Sequence, residues 1–337
     1  MPKYFRILSI DGGGLRGVIP AIILRKLSQS TKEPIWRYFD LVTGTSTGGI
    51  IALAVVLNKP LDEIEELYKT LGKKLFIKPS PRKKIDSARH YINAWKTGSL
   101  YNPELLLSFL EKEFKIERED GTKENALIKD AQTRLCIPTF DITHGKIVLF
   151  KTPHIVIRPD RRQFTDDANK EMYKVAAATS AAPIFFNTSS VENSYFIDGG
   201  LWANNPEMVG LLEAYRSGFS FDQVKLLSIG TGSYVFQRET SVAKKMHLKD
   251  WGLTGVVEAT LEAQTQAAAK MSRLFLDDRN HTRLQYEFKK NIPMDDVSSL
   301  PDLISCADRL FREQGDNVIK NFFQSVTDNP NYKDEKI

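Results

Sequence analysis

Residues 6–20 read RILSIDGGGLRGVIP, an apolar run that meets a cluster of glycines and then resumes in a helical pattern. Tyr4 to Ile10 is rich in apolar residues rather than strictly alternating, which suits a strand buried on both faces of a parallel sheet. Val18 to Leu27 is the next helical stretch, with Pro20 in its first turn, where a missing N–H does little harm. Between them Gly12, Gly14 and Gly17 satisfy G-x-G-x-x-G, the pattern by which a dinucleotide-binding fold cradles a pyrophosphate at a helix N-terminus. Whether this loop holds a cofactor phosphate or something else is decided by the rest of the chain.

A second strand–turn–helix unit follows. Phe39 to Thr43 reads as a short strand, GTSTGG as its turn, and Ile50 to Leu57 as a helix with no polar face, hence central and buried. Asn102 and Pro103 read as N-cap and first residue of an amphipathic helix through Phe114, with a polar loop from Glu117 to Lys123. Arg134 to Ile142 and Lys146 to Thr152 form two strands joined by THG, and Tyr195 to Ile197 and Val224 to Ile229 are further short buried strands. This interleaving predicts an α/β fold, a mostly parallel or mixed central sheet sandwiched by helices, with a helical C-terminal region. In that region Ala263, Ala267, Met271 and Leu274 share one helical face, expected to pack into the core. One domain is expected over residues 1–327, its motifs within 5–235 and its helical part within 240–327, followed by a polar tail, 328–337.

The 337 residues are 42% hydrophobic and 26% charged, an ordinary globular composition. The start, Met-Pro-Lys-Tyr-Phe-Arg, has no signal-peptide pattern, and the longest apolar stretch, Gly48 to Leu57, falls short of the roughly 20 residues of a spanning helix. A cytoplasmic protein is expected. Cys136 and Cys306, far apart, suggest neither a disulfide framework nor a zinc site. A net charge of +5, from 47 basic and 42 acidic residues, is too mild to indicate a nucleic-acid duplex as partner.

GTSTG, Gly44 to Gly48, is G-x-S-x-G between a strand and a helix, the setting of a nucleophile elbow. Glycines on either side of Ser46 relieve crowding in a sharp turn; a plain Gly/Ser/Thr turn capping a helix is the other reading. A serine hydroxyl needs a base, and histidine is the usual one. None of His90, His144, His154, His247 and His281 sits in a suitable turn, and His144 reads as a hairpin residue. In YFIDGGLWANNP, Asp198 follows a short strand and precedes Gly199 and Gly200, so its carboxylate emerges at a sheet edge, although an Asp-Gly turn alone would look the same. Gly12, Gly13 and Gly14 expose bare amides suited to an oxyanion. Asp40 stands at the separation of a ribose-binding acid, but it precedes its strand, and a dinucleotide reading leaves GTSTG and DGG unexplained. No H-E-x-x-H or aspartate-rich calcium loop is present, so no metal and no other cofactor is expected.

DGGGLRG, GTSTG and DGG, in this order, resemble the three signature motifs of patatin-like phospholipases. ILSIDGGGLRGVIP, FDLVTGTSTGGIIAL, AAATSAAPIFF and LLSIGTG extend the resemblance from about residue 5 to at least residue 235. It implies a patatin-like fold and a lipid acyl hydrolase cleaving acyl esters of glycerophospholipids by a Ser–Asp dyad. Ser46 would be the nucleophile and Asp198 the proton acceptor, with an acyl-serine intermediate and Gly12, Gly13 and Gly14 as oxyanion hole. Arg16 would hold the loop in shape, Asp11 would be structural, and Gly17, Gly44, Gly48, Gly199 and Gly200 complete the motifs. A non-catalytic signalling module of the same fold would not need the serine, aspartate and glycines together. Bacterial members include housekeeping lipases, secreted toxins and effectors of cyclic-oligonucleotide antiphage systems, which makes a cyclic nucleotide a candidate activator. Lys73, Lys74, Lys78, Arg82, Lys83, Lys84 and Arg89 form a basic segment, read either as a solvated loop or as a contact with anionic headgroups at a peripheral membrane surface.

Overall fold

Strand β1 (Phe5–Ile10) lies inside an eight-stranded sheet and bonds in parallel to β2 (Leu41–Gly44) on one edge and β9 (Val224–Ile229) on the other. The computed structural model describes residues 4–76, 98–154, 165–234 and 255–327. The sheet runs β10 (His281–Leu284), β9, β1, β2, β5 (Arg134–Asp141), β8 (Ser194–Asp198), β7 (Ser189–Val191), with β6 (Lys146–Lys151) paired to β5. The first five strands are parallel and β6, β7 and β8 are antiparallel to their neighbours, so the sheet is mixed.

Both faces are covered, which is why the central strands are rich in apolar residues on either side. Leu8, Ile10, Val42, Leu227 and Ile229 join one buried cluster with α1 (Val18–Gln29), α2 (Thr47–Val56) and α9 (Leu300–Phe322). Ile7, Leu41 and Leu226 join a second cluster with Val209, Leu211 and Ala214 of α7 (Glu207–Arg216). Helix α2 is buried at all ten positions. Leu303, Ala307 and Leu310 of α9 lie in the same core as β1 and α1, so the C-terminal region is built into the body that carries the motifs.

Further elements are α3 (Leu61–Leu75), α4 (Pro103–Glu113), α5 (Met172–Thr179) and the one-turn α6 (Gly200–Ala203). Asn102 caps α4, its Oδ1 accepting from the Glu104 amide at 2.9 Å, with Pro103 at the first helical position. Three expectations need correction. The loop from Glu117 to Lys123 is the bend of a small hairpin, β3 (Lys115–Glu117) with β4 (Lys123–Asn125). The C-terminal region contributes a strand, β10, whose sequence HTRL carries too little apolar signal to stand out. Most consequential, α8 (Gly255–Phe275) does not bury Ala263, Ala267, Met271 and Leu274; all four are exposed. Its inward face is instead the row of Thr265, Ala268 and Ser272, held by hydrogen bonds as much as by apolar contact. Among the described residues no helix is long and apolar enough to cross a membrane.

Candidate active site

The turn after β2 has an unusual backbone. Ser46 adopts φ 55° and ψ −127°, a region that non-glycine residues rarely occupy and that costs on the order of 1–3 kcal/mol. The flanking glycines make the turn possible through close approach: a Cβ on Gly44 would meet the Gly48 carbonyl oxygen at 2.1 Å, and one on Gly48 would meet the Ile10 carbonyl oxygen at 2.3 Å. Ser46 thus stands before the first residue of α2, yet its side chain does not cap the helix. Thr179 pins the turn by accepting a hydrogen bond from the Ser46 amide at 3.0 Å and donating one to the Pro138 carbonyl at 2.7 Å. Thr179 was not singled out from sequence, although it lies within AAATSAAPIFF; only the crossing of α5 under the turn gives it a role.

Asp198, the last residue of β8, lines the same cleft as Ser46, whose hydroxyl favours the ionised carboxyl. Its Oδ1 also accepts from the Gly200 amide at 2.6 Å. Burial pushes its pKa up to about 6, against the Ser46 and Gly200 hydrogen bonds, which favour the carboxylate. The described histidines pair elsewhere. His144 sits in the β5–β6 turn beside Asp141, His154 lies 3.3 Å from Glu213, and His281 lies 2.9 Å from Glu207. His90 and His247 fall outside the described residues.

The loop after β1 packs directly on this pair. A Cβ on Gly12 would lie 3.1 Å from the Ser46 Cβ and 2.4 Å from the Asn204 Oδ1, and one on Gly13 would meet the Thr231 Oγ1 at 2.3 Å. Protein therefore fills the space that a pyrophosphate would need. The Gly12 amide is already engaged, donating to the Asn204 carbonyl at 2.9 Å, unlike those of the two glycines that follow it. Among the described residues nothing accepts from the amides of Gly13 and Gly14, and both residues line the cleft that holds Ser46. Gly14 takes φ 56°, where a side chain would be strained.

Asp11, at the start of the loop, is held by Arg283. Arg283 of β10 reaches Asp11 at 2.6 Å and Glu207 at 2.9 Å, and Glu207 in turn contacts Ser272 and His281. Desolvation raises the Asp11 pKa to about 6 in spite of Arg283. Arg16 is half-buried with its Nε unpartnered, beside a small polar pocket that also holds Glu258 and Glu262, and burial lowers its pKa. Asp40 lies at the opposite end of the sheet from the loop, where its Oδ2 accepts from the Arg6 amide at 2.8 Å. A ribose-binding acid belongs at the C-terminal end of its strand, so this placement removes the dinucleotide reading.

The cleft that holds Ser46 is partly open to solvent. Ser46, Asp198, Gly13 and Gly14 lie in it, and much of the remaining lining is apolar, including Ile50, Leu67, Leu75, Phe185 and Leu261. Helix α3 supplies one wall and its exposed Lys73 and Lys74 follow immediately beside it; the rest of the basic segment, from Lys78 to Arg89, lies outside the described residues.

Residues 8–211 match the family described as Patatin-like phospholipase. A cGAMP-activated phospholipase of Vibrio cholerae is 30% identical over 350 aligned positions, covering 95% of this chain and 94% of the relative. Another cGAMP-activated phospholipase, from Escherichia coli, is 34% identical over 256 positions, covering 71% of this chain and 65% of the relative. The calcium-independent phospholipase A2-gamma of Rattus norvegicus is 29% identical, covering 86% of this chain but 36% of that protein. With a family match over more than half its length and a 30% identical relative covered almost end to end, the chain belongs to the patatin-like phospholipase family of lipid hydrolases.

Proposed function

We propose that the protein cleaves acyl esters of glycerophospholipids with Ser46 as nucleophile and Asp198 as its base. The observation that carries this reading is the placement of Ser46, on its strained turn, and a buried Asp198 in one largely apolar cleft, with the amides of Gly13 and Gly14 that are unengaged among the described residues. Ser46 Oγ attacks the ester carbonyl carbon while its proton passes to Asp198, and the amides of Gly13 and Gly14 hold the oxyanion. Collapse expels the alcohol, which takes the proton back from Asp198. Water, losing its proton to Asp198, then cleaves the acyl-serine and releases a fatty acid. A carboxylate raised to about 6 is a stronger base than an ordinary aspartate and is still ionised at neutral pH.

The names of the Vibrio cholerae and Escherichia coli relatives support activation by a cyclic nucleotide such as cGAMP. The basic end of α3, next to the cleft wall, supports peripheral contact with an anionic membrane surface. A non-catalytic module would have no use for the strained Ser46 turn.

Ser46→Ala and Asp198→Ala should each abolish hydrolysis of a soluble p-nitrophenyl ester, and the double variant should resemble either single, because the two groups act as a unit. A folded Ser46→Ala protein with wild-type turnover, or one still labelled at the site by a fluorophosphonate, would refute the dyad.

The base must be deprotonated, so kcat/KM on the soluble ester should be level above pH 7 and fall as pH drops through about 6. Stability runs the other way. The folded state holds the Asp198 and Asp11 protons more tightly than the unfolded chain, so their contribution is complete below about pH 4 and is lost as pH rises through about 6. An activity profile flat from pH 5 to 8 would count against Asp198 as base.

Adding cGAMP should raise turnover of phospholipid vesicles by the purified protein; no change and no binding across a panel of cyclic di- and trinucleotides would remove that part of the reading. Replacing Lys73 and Lys74 by Gln should weaken co-sedimentation with anionic vesicles at low salt while sparing the soluble ester, at about 1 kcal/mol per charge. Equal binding by both proteins would leave these lysines as solvated residues.

A further inference from the structure

The C-terminal end of α5 touches both halves of the candidate site. Thr179, the last residue of that helix, is wholly buried, and its Oγ1 accepts from the Ser46 amide at 3.0 Å. Two residues on, the Ala181 carbonyl accepts from the Asp198 amide at 3.0 Å. The backbones of Ser46 and Asp198 are therefore both bonded to one short piece of chain, residues 179–181.

The bonds of Thr179 are not those its place in a helix would give. A hydroxyl near a helix end commonly donates back to a carbonyl of its own helix, as the next residue does: Ser180 Oγ donates to the Ala176 carbonyl at 2.6 Å. Thr179 instead donates out of the helix, to the Pro138 carbonyl of β5 at 2.7 Å. An amide only donates and a carbonyl only accepts, so the two bonds fix the direction of the hydroxyl proton. The same Pro138 carbonyl is closely approached by the segment that carries Asp198: a Cβ on Gly199 would meet it at 2.2 Å, and Thr139, next in β5, pairs with Asp198 in the sheet. One hydroxyl thus connects the Ser46 amide to the stretch of β5 on which Asp198 is seated. The methyl group has a separate contact, with Gly49 of α2, where an added Cβ would lie 2.7 Å from it.

Ser46 requires an outside hold. Its carbonyl accepts from the Gly49 and Ile50 amides of α2 at 2.9 and 3.1 Å, whereas its amide bonds away from that helix, to Thr179. A strained backbone persists only where its surroundings over-determine it. We propose that Thr179 is a positioning residue for ester cleavage, its hydroxyl holding the Ser46 turn against β5 and so setting the distance from Ser46 to Asp198. The inference rests on the reading of Ser46 as nucleophile and Asp198 as base. Losing the hydroxyl releases the turn but leaves the apolar cleft walls of Leu67, Leu75 and Leu261 in place, so turnover suffers and binding does not.

The test compares Thr179→Val, Thr179→Ser and Ser46→Ala in the purified full chain on a soluble p-nitrophenyl ester, with circular dichroism recording the folded fraction. Thr179→Val keeps a methyl toward Gly49 and removes both hydrogen bonds; kcat should fall about 10²-fold, as for a misplacement of about 1 Å, with KM changed by less than about twofold. Thr179→Ser removes the methyl and keeps both bonds, and should hold kcat within about threefold of wild type. A role confined to packing would rank the two variants the other way. Should Thr179→Val fail to fold, Thr179→Ala, which differs from Thr179→Ser by the hydroxyl alone, carries the same expectation. Wild-type kcat in the folded Val or Ala variant, or a Ser variant as slow as either, would overturn the proposal, while an inactive Ser46→Ala would leave the dyad standing. Turnover by Ser46→Ala would bring down the dyad and this inference with it.

Discussion

The segment from Asp198 to Asn204 is the fixture on which the candidate site depends. Its first residue shares the cleft with Ser46, the Ala203 carbonyl accepts from Thr45 Oγ1 at 2.6 Å, and the Asn204 carbonyl accepts from the Gly12 amide at 2.9 Å. The turn after β2 and the loop after β1 are thus both tied to one short piece of chain that begins where β8 ends. Ser46, Asp198 and the amides of Gly13 and Gly14, the groups proposed to carry the chemistry, come from three distant parts of the sequence and are held together by bonds to this segment. An oxyanion hole works only when its donors are fixed before the charge develops, so the value of these bonds lies in geometry rather than in stability.

Burying so much polarity under a sheet edge has a cost that is met locally. Asp11 and Glu207 are buried carboxylates, and Arg283 lies between them, with Ser272, Ser228 and His281 filling the remaining positions around this group. Arg283 and His281 hold Glu207 well below the usual carboxylate range, whereas the more deeply desolvated Asp11 is pushed up even in contact with the same guanidinium. Asp198 has no cation among its named contacts; hydroxyl and amide hydrogen bonds are what stabilise its charge. Asp11 and Asp198 thus reach about the same value by different balances, and what distinguishes Asp198 is its place in the cleft with Ser46.

The fold was legible in the sequence wherever a pattern is local. Runs rich in apolar residues gave β1, β2 and β9, and the absence of a polar face identified α2 as central, because burial on all sides leaves no other composition possible. Ser46, Asp198 and the glycine loop were legible as motifs, since a strained turn and a close backbone approach each admit few residue types. Contacts made through tertiary structure left no such mark. Thr179 and Arg283 are ordinary residues in their own segments, and the engagement of Gly12 with Asn204 spans 192 positions. Arg16, inside the motif, looked like the loop's support, but the cation that reaches Asp11 comes from β10 at the other end of the chain.

Helix α8 was misread for a reason that bears on the site itself. Periodicity reports which side of a helix is apolar, and inward orientation follows only when apolar burial decides the packing. For α8 it does not decide. Gln264 accepts from the Asn205 amide at 2.8 Å, Thr265 accepts from Asn204 Nδ2 at 2.8 Å, and Ser272 donates to Glu207. Each such bond contributes on the order of 1 kcal/mol, yet each also fixes direction, and three along one side outweigh the weaker pull of alanines. The element that walls the cleft with Val257 and Leu261 is consequently held by few apolar contacts and by bonds to the very residue whose carbonyl takes the Gly12 amide. Segments with little buried apolar surface open at lower free energy than the core. Through Asn204, whose side chain donates to Thr265 and whose carbonyl takes the Gly12 amide, α8 is joined to the loop after β1 by polar bonds rather than by apolar packing.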